Sequence, residues 1–330
     1  MILIDATYIN IGGGKVLLDL LIEEIIKKNI KAFFLLDYRI SKKYTFINDE
    51  NKYSIKPSII DRHLFYLKNK QKFKTVLCFA NVPPTINLSS KVYTFFQNVD
   101  LLKNFSFKTF LKMYFIKMFI KNSDGWIVQT ENVAKLIQHK GIDTSKIYIY
   151  PFFKEFSLKS SIKEYNRFKY LYVSSGEKHK NHNRLLNAFE KYHSINNNAE
   201  LILTLDKKYD YLYNKIEFLK KKGIPIKNLG IISKELLHKQ YLNVDFIIYP
   251  SLYESFGLGL VEACQYNIPI LASNKEYVKE ITDPLITFDP KSEKSILIAL
   301  IESKKTFFSK SNLKVENKIN KIVNLLTKNK

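Results

Sequence analysis

Short apolar blocks rich in Val, Ile, Phe and Tyr alternate along the chain with longer segments whose apolar positions recur every three or four residues. Blocks of the first kind read as buried strands of a parallel sheet and segments of the second kind as the helices that cover it, the pattern of an α/β protein. The first half carries such blocks at Met1–Asp5, Lys31–Asp37, Lys74–Ala80, Lys91–Gln97 and Trp126–Gln129. The second half carries them at Phe168–Ser175, Ala199–Leu205, Ile226–Gly230, Asp245–Pro250 and Ile268–Ala272. Helical periods fall at Arg184–Tyr192, from about Tyr209 onward, at Ser233–Leu242 and over much of 292–330. Gly141–Phe153 closes the first half with a strand and Pro151, and the polar, charged stretch 154–167 reads as a linker, so domains of 1–153 and 168–330 are expected.

Two turns carry candidate chemistry. After the first strand, Asn10-Ile11-Gly12-Gly13-Gly14 leads into a helix with Val16, Leu17, Leu18, Leu20, Leu21, Ile25 and Ile26 on its period, a Rossmann-like opening. It is not a P-loop, since Val16 follows Lys15 where a hydroxyl belongs, and it lacks the G-x-G-x-x-G spacing. Gly13 therefore stands open between a structural turn and a phosphate contact. The second turn lies inside Asp245–Ser273, a strand, a turn with Gly257 and Gly259, a short helix with Leu258, Leu260, Val261, Ala263 and Cys264, and a second strand. Such a turn aims free N–H groups and the positive helix end at one spot, which suits a phosphate. Glu254 before the helix and Glu262 within it can each accept a pair of sugar hydroxyls on either side of a pyrophosphate.

The run Pro250-Ser251-x-x-Glu254-Ser255-Phe256-Gly257-Leu258-x-x-x-Glu262-Ala263, closing on Ile268–Ser273, resembles the E-x7-E signature of glycosyltransferase family 4, retaining nucleotide-sugar enzymes. The resemblance implies a GT-B fold, two facing Rossmann-like domains with a cleft between them and terminal helices crossing back to the first domain. It implies that Glu254 holds the donor sugar, that Glu262 holds the ribose, and that Ser255, Phe256, Gly257 and Leu258 line the donor. Lys180, in the cationic loop Gly176–Asn183, matches the family lysine that meets the departing diphosphate. Where the family carries an arginine five residues earlier this chain has Ser175, and Lys178 is the candidate for the missing charge. No metal and no cofactor beyond the nucleotide-sugar are implied, and Asp-x-Asp is absent. His179-x-x-His182 lacks a cysteine partner and stands among cations, so it is not expected to bind zinc.

In the first half, Asn81, Gln97, Asn98 and Thr130 stand at the carboxyl ends of strands, where open parallel sheets bind ligands, and are candidate acceptor-side residues. Turn and capping chemistry explains each of them equally well. The pieces around Ala80-Asn81-x-Pro83-Pro84 and Phe96-Gln97-Asn98 resemble family members that build bacterial surface polysaccharide: O-antigen, capsule or lipopolysaccharide. The expected activity is accordingly a metal-independent transfer of a sugar, a hexose by this reading, to a glycan acceptor carried on polyprenyl diphosphate.

Composition adds the partner question. At 330 residues with 46% apolar content, two α/β domains fit and disorder is excluded. The formal charge of +22 would attract nucleic acid, an anionic membrane or a polyanion. A basic nucleic-acid-binding protein is thus a rival reading, as is a GT-B-fold nucleotide-sugar epimerase or a phosphorylase, but no nucleic-acid recognition motif is present and nucleic acid is not an expected partner. Cys78 and Cys264 stand far apart in apolar runs, which suits a reducing compartment. No secretory segment opens the chain and no apolar run reaches transmembrane length. Leu101–Lys121 interleaves five lysines with Phe, Leu, Met, Tyr and Ile, and reads either as a helix resting on an anionic membrane or as a core helix with snorkelling lysines. The first reading places the enzyme in the cytoplasm, peripheral on the inner face of the cell membrane.

Overall fold

The structure is a computed structural model that describes residues 1–103, 106–156, 168–305 and 311–328. The chain divides into two compact units, Met1–Lys154 with Glu316–Lys330, and Glu155–Val315. Residues 157–167, most of the expected linker, lie outside the described residues.

Unit 1 is built on seven parallel strands, β1 (Ile2–Ala6), β2 (Ala32–Asp37), β3 (Lys52–Ile55), β4 (Thr75–Cys78), β5 (Lys91–Phe95), β6 (Gly125–Val128) and β7 (Ile147–Ile149). Their order in the sheet is β3-β2-β1-β4-β5-β6-β7. The central strands are short β-branched and aromatic runs covered on both faces, which is why they read as continuous apolar blocks. Helices α1 (Gly12–Lys27), α2 (Tyr38–Ser41), α3 (Ile59–Lys68), α4 (Asp100–Lys103), α5 (Phe107–Met118) and α6 (Glu131–Gln138) connect them. Right-handed crossovers put α1 and α2, which lead toward β3, on one face, and α3, α5 and α6, which lead toward β7, on the other. Leu3, Phe33, Leu35, Phe65, Tyr66 and Val76 form the core under α3.

Unit 2 repeats the scheme with β8 (Phe168–Tyr172), β9 (Ala199–Leu203), β10 (Ile226–Asn228), β11 (Phe246–Tyr249), β12 (Ile270–Ser273) and, after the small strand β13 (Thr282–Asp283), β14 (Ile286–Phe288). Six of these form a parallel sheet in the order β10-β9-β8-β11-β12-β14. The short strand β15 (Asn312–Leu313) pairs antiparallel with β13. The helices are α7 (His182–Ile195), α8 (Asp210–Lys221), α9 (Lys234–Asn243), α10 (Leu258–Gln265), α11 (Glu276–Ile281) and α12 (Glu293–Ser303). The last helix, α13 (Ile319–Thr327), belongs to unit 1: the Lys318 and Asn317 amide groups donate to the carbonyls of Pro151 and Phe153, and Lys28 donates to Asn320.

One expectation changes and two features are new. Leu101–Lys121 is not one helix: Ser106 caps a new start by accepting from the Thr109 amide, so α4 and α5 are separate, and a 3-10 turn at Ile120–Asn122 follows. β3 and α3, in a segment without a clean apolar period, went unread, because α3 buries Arg62, Phe65 and Tyr66 while exposing Ile59, Ile60, Leu64 and Leu67. The antiparallel β13–β15 pair is two residues long on each side, below the length at which alternation registers.

Candidate functional site

In an open parallel sheet the strand order reverses at one place, where the loops after two neighbouring strands part and leave a crevice. Unit 2 reverses between β8 and β11. The loops that leave these strands carry Lys180 and Glu254, and the structure brings them together: Lys180 Nζ stands 2.7 Å from Glu254 Oε1. The Tyr249 hydroxyl donates to the same oxygen at 3.3 Å. Both side chains are largely covered yet keep an open edge, at 16% and 10% exposure. Among the described residues, Glu254 Oε2 takes no hydrogen bond.

The two loops are laced to each other. The Leu252 amide donates to the His179 carbonyl, and Tyr172 donates to the Lys180 carbonyl while its hydroxyl also meets Ser251 Oγ at 2.9 Å. Ser273 and Tyr277 both donate to the Ser251 carbonyl. Burial, together with the Glu254 charge, holds the Tyr172, Tyr249 and Tyr277 hydroxyls well above their usual range, so all three stay protonated donors. Pro250, which has no amide N–H to give to the ladder, ends β11 where these bonds can form.

Gly257 caps α10 at φ +92, a left-handed conformation that a Cβ would strain. A Cβ on Gly259 would stand 3.1 Å from the Tyr249 ring. Among the described residues no side-chain hydrogen bond caps α10 and no acidic residue lies in its first turn, so the amides at its positive end are not spent on a capping side chain. Phe256 is buried, Ser255 and Leu258 half-buried. One turn into α10, Glu262 accepts from the Tyr241 hydroxyl at 2.6 Å. Burial pushes its carboxyl above the usual range, with the Tyr241 bond and Lys234 opposing.

The remaining candidates lie elsewhere. Lys178 is exposed at the start of the 3-10 turn Lys178–Lys180, and Ser175 donates to the Glu177 carboxylate. His179 stacks on Tyr253 at 4.8 Å, whereas His182 is buried against Tyr172 and shares a bond with Ser174. Burial and the Lys180 charge hold the His182 imidazole down at about 3. No group of three His, Cys, Asp or Glu stands together among the described residues. In unit 1, Gly13 is exposed in the first turn of α1, and it is Gly14 whose missing Cβ makes room for the Gln97 side chain. Asn81, at φ +68, accepts from the Gln97 and Asn98 amides, Gln97 donates to the Phe79 carbonyl, and Asn98 accepts from the Asp100 amide. Thr130 caps α6 by accepting from the Val133 amide. These four thus perform turn and cap work at the strand ends.

Two features went unread in the sequence. Asn181, left-handed and buried, donates to the carbonyls of Pro250 and Pro290 and so anchors the loop behind Lys180. At the reversal of the unit 1 sheet, between β1 and β4, Asp5 and Arg62 form a buried pair at 2.6 Å. The signal for the second was available: the chain has four arginines, and one placed inside an apolar helix announces a planar, multiply bonded role that lysine cannot fill.

Residues 153–312 match the family described as glycosyl transferases group 1. An uncharacterised 41.2 kDa protein in the cps region of Klebsiella pneumoniae is 24% identical over 79% of this chain and 70% of its own length. O-antigen chain mannosyltransferase B of Escherichia coli is 29% identical over 40% of this chain, a match that spans 36% of that protein. Among solved structures, Anabaena HepE in complex with UDP-glucose superposes with a TM-score of 0.70 at 13% identity, over 98% of this chain and 94% of that one. The E-x7-E run and the match across 153–312 agree that this part of the chain is a group 1, family 4 glycosyltransferase domain, and the two parallel α/β sheets carry the GT-B fold.

Proposed function

We propose that the chain moves a sugar, with retention of configuration, from a nucleoside-diphosphate sugar held by unit 2 to a lipid-linked surface glycan presented to unit 1. The observation that carries this reading is the Lys180–Glu254 pair beside a start of α10 that no side-chain hydrogen bond caps. In this reading the bond from the anomeric carbon to the diphosphate oxygen breaks and its electron pair leaves with the phosphate. Lys180 and the α10 amides stabilise that charge, as preorganised donors do at a developing anion. The acceptor hydroxyl attacks on the face the phosphate leaves, and its proton passes to the departing phosphate oxygen. Glu254, aimed by Lys180 and Tyr249, holds hydroxyls of the transferred sugar through its open oxygen. Glu262, aimed by Tyr241, holds the ribose. Ser255, Phe256, Gly257 and Leu258 shape the donor pocket and Lys178 supplies the second positive charge. The acceptor lies beside the turn that Asn81, Gln97 and Asn98 lock, with Thr130 at its margin, and Gly13 is a candidate donor contact.

A hexose is the transferred group we favour, with O-antigen, capsule or lipopolysaccharide as the product. Two relatives support that product class: the cps-region protein of Klebsiella and the O-antigen mannosyltransferase of Escherichia coli. The UDP-glucose complex of HepE supports a uridine donor. The enzyme works at the inner face of the membrane, and among the described residues no helix is long and apolar enough to cross it. The test is release of nucleoside diphosphate from a panel of UDP-, GDP- and dTDP-sugars, with the anomeric configuration of the product read by NMR. Turnover that survives EDTA and yields a retained linkage is expected. An inverted product, or activity restored only by manganese or magnesium, contradicts the reading.

A further inference from the structure

We propose that the outward faces of α3 and α5 form one docking surface for an anionic phospholipid leaflet. The inference rests on the reading that the acceptor is lipid-linked, and adds to it the place where the protein meets the lipid.

An α-helix packed on a sheet ordinarily turns its apolar side inward. α5 does this with Thr109 and Ile116, which are buried. On the opposite side, Phe107, Phe110, Leu111, Tyr114 and Met118 are all exposed, Phe107 to 75%. At 3.6 residues per turn these five fall within an arc of about 100°. Lys117 is exposed on the flank of that stripe, Lys112 is exposed farther round the helix, and α5 carries no acidic residue. α3 repeats the apolar arrangement, with a half-buried Asp61 in its first turn: Arg62, Phe65 and Tyr66 are buried, while Ile60, Leu64 and Leu67 line the opposite side, Ile60 at 70% exposure. Lys56 and Lys68 are exposed at its ends.

The two helices lie on the same face of the unit 1 sheet, because both belong to crossovers that lead toward β7. They are also tied to one loop. From α3, Arg62 donates to the carbonyls of Val82 and Pro83, and His63 shares a bond with Thr85 at 2.7 Å. From the turn after α5, Asn122 donates to the Pro84 carbonyl at 2.8 Å. Two outward apolar stripes on adjoining elements, with lysines around them, combine the two requirements of an interfacial surface: side chains that enter the acyl boundary and cations that meet acidic headgroups. A water-facing helix meets neither need with Phe and Met.

The experiment is co-sedimentation of the full chain with phosphatidylglycerol-containing and pure phosphatidylcholine vesicles. Three double variants change only exposed positions: Phe110→Ser with Tyr114→Ser, Ile60→Ser with Leu64→Ser, and Lys112→Gln with Lys117→Gln. Unchanged thermal midpoints confirm that they fold. We expect binding to the anionic vesicles, released by high salt, and at least tenfold weaker in each variant. Equal binding to both vesicle types, absence of binding to the anionic ones, or full binding by the serine variants overturns the proposal. So does concentration-dependent dimerisation without vesicles that the serine variants abolish, since a second copy then covers the face. Donor hydrolysis in free solution separates this proposal from the transfer reading: vesicle binding lost with hydrolysis intact supports the surface, and both intact overturns it while transfer stands.

Discussion

The two sheets reverse their strand order in the same way, and each places an ion pair at the reversal, but the pairs are of opposite kinds. In unit 1, Asp5 accepts from Arg62 Nε, from the Tyr66 hydroxyl and from both the amide and the hydroxyl of Thr7. Arg62 spends its other N–H groups on Pro83, Val82 and the Cys78 sulfur. Side-chain exposures are 4% and 1%, so the network is sealed. In unit 2, Lys180 and Glu254 hold each other with a single contact, an open edge and one carboxylate oxygen to spare. Guanidinium forks suit saturated buried networks and an ammonium suits a charge that exchanges partners. The sealed pair pins a loop, and the open pair keeps the free carboxylate oxygen that the proposed sugar contact needs.

The largest effect that tests this contrast is on stability. Arg62→Ala leaves Asp5 buried without its countercharge and is expected to cost about 3–5 kcal/mol, seen in a denaturant midpoint. A loss below about 1 kcal/mol would break the comparison. Next comes His182, whose native imidazole at about 3 lies below the unfolded value of 6.5. Between those values the unfolded chain binds a proton that the native chain refuses, so stability falls as pH drops through that window and is full above it. By about pH 4 the loss approaches ~3 kcal/mol, and His182→Asn should flatten the profile as measured by thermal midpoints. Smaller still is the split between the carboxylates. Glu254→Gln is expected to lower turnover about 100-fold, because contacts to the reacting sugar can strengthen in the transition state. Glu262→Gln is expected to weaken nucleotide binding about tenfold, with turnover at saturating donor changed less. Calorimetry and initial rates read the two effects separately, and equal, near-native kinetics for both would remove the assignment.

The strand–turn–helix run that carries both glutamates was legible in the sequence and the loop that meets it was not. Glu254, Glu262 and Gly257 sit in one continuous run, so spacing alone sets their order along strand, turn and helix. Lys180 lies 74 residues from Glu254, and only the resemblance suggested that it serves the same site. Asp5 and Arg62, 57 residues apart, passed unread because a carboxylate at a strand end has no partner until the topology supplies one. Asn81, Gln97, Asn98 and Thr130 were read from position, but polarity at a strand end does not distinguish a ligand contact from a backbone cap, and each makes at least one bond to backbone. Leu101–Lys121 was recognised as amphipathic, yet which side faced out depended on the cap at Ser106 and on burial, neither of which periodicity encodes.

The central proposal, that Lys180 of the open pair in unit 2 meets a diphosphate while the sealed pair of unit 1 meets no ligand, is tested most directly by nucleotide-induced stabilisation. UDP, GDP, ADP and dTDP are titrated into the wild type, Lys180→Met and Arg62→Lys, and thermal midpoints are followed, since a ligand that binds only the native state raises them by mass action. The account predicts that at least one diphosphate raises the wild-type midpoint, that Arg62→Lys starts lower but keeps the rise, and that Lys180→Met loses most of it. An undiminished rise in Lys180→Met would contradict the account.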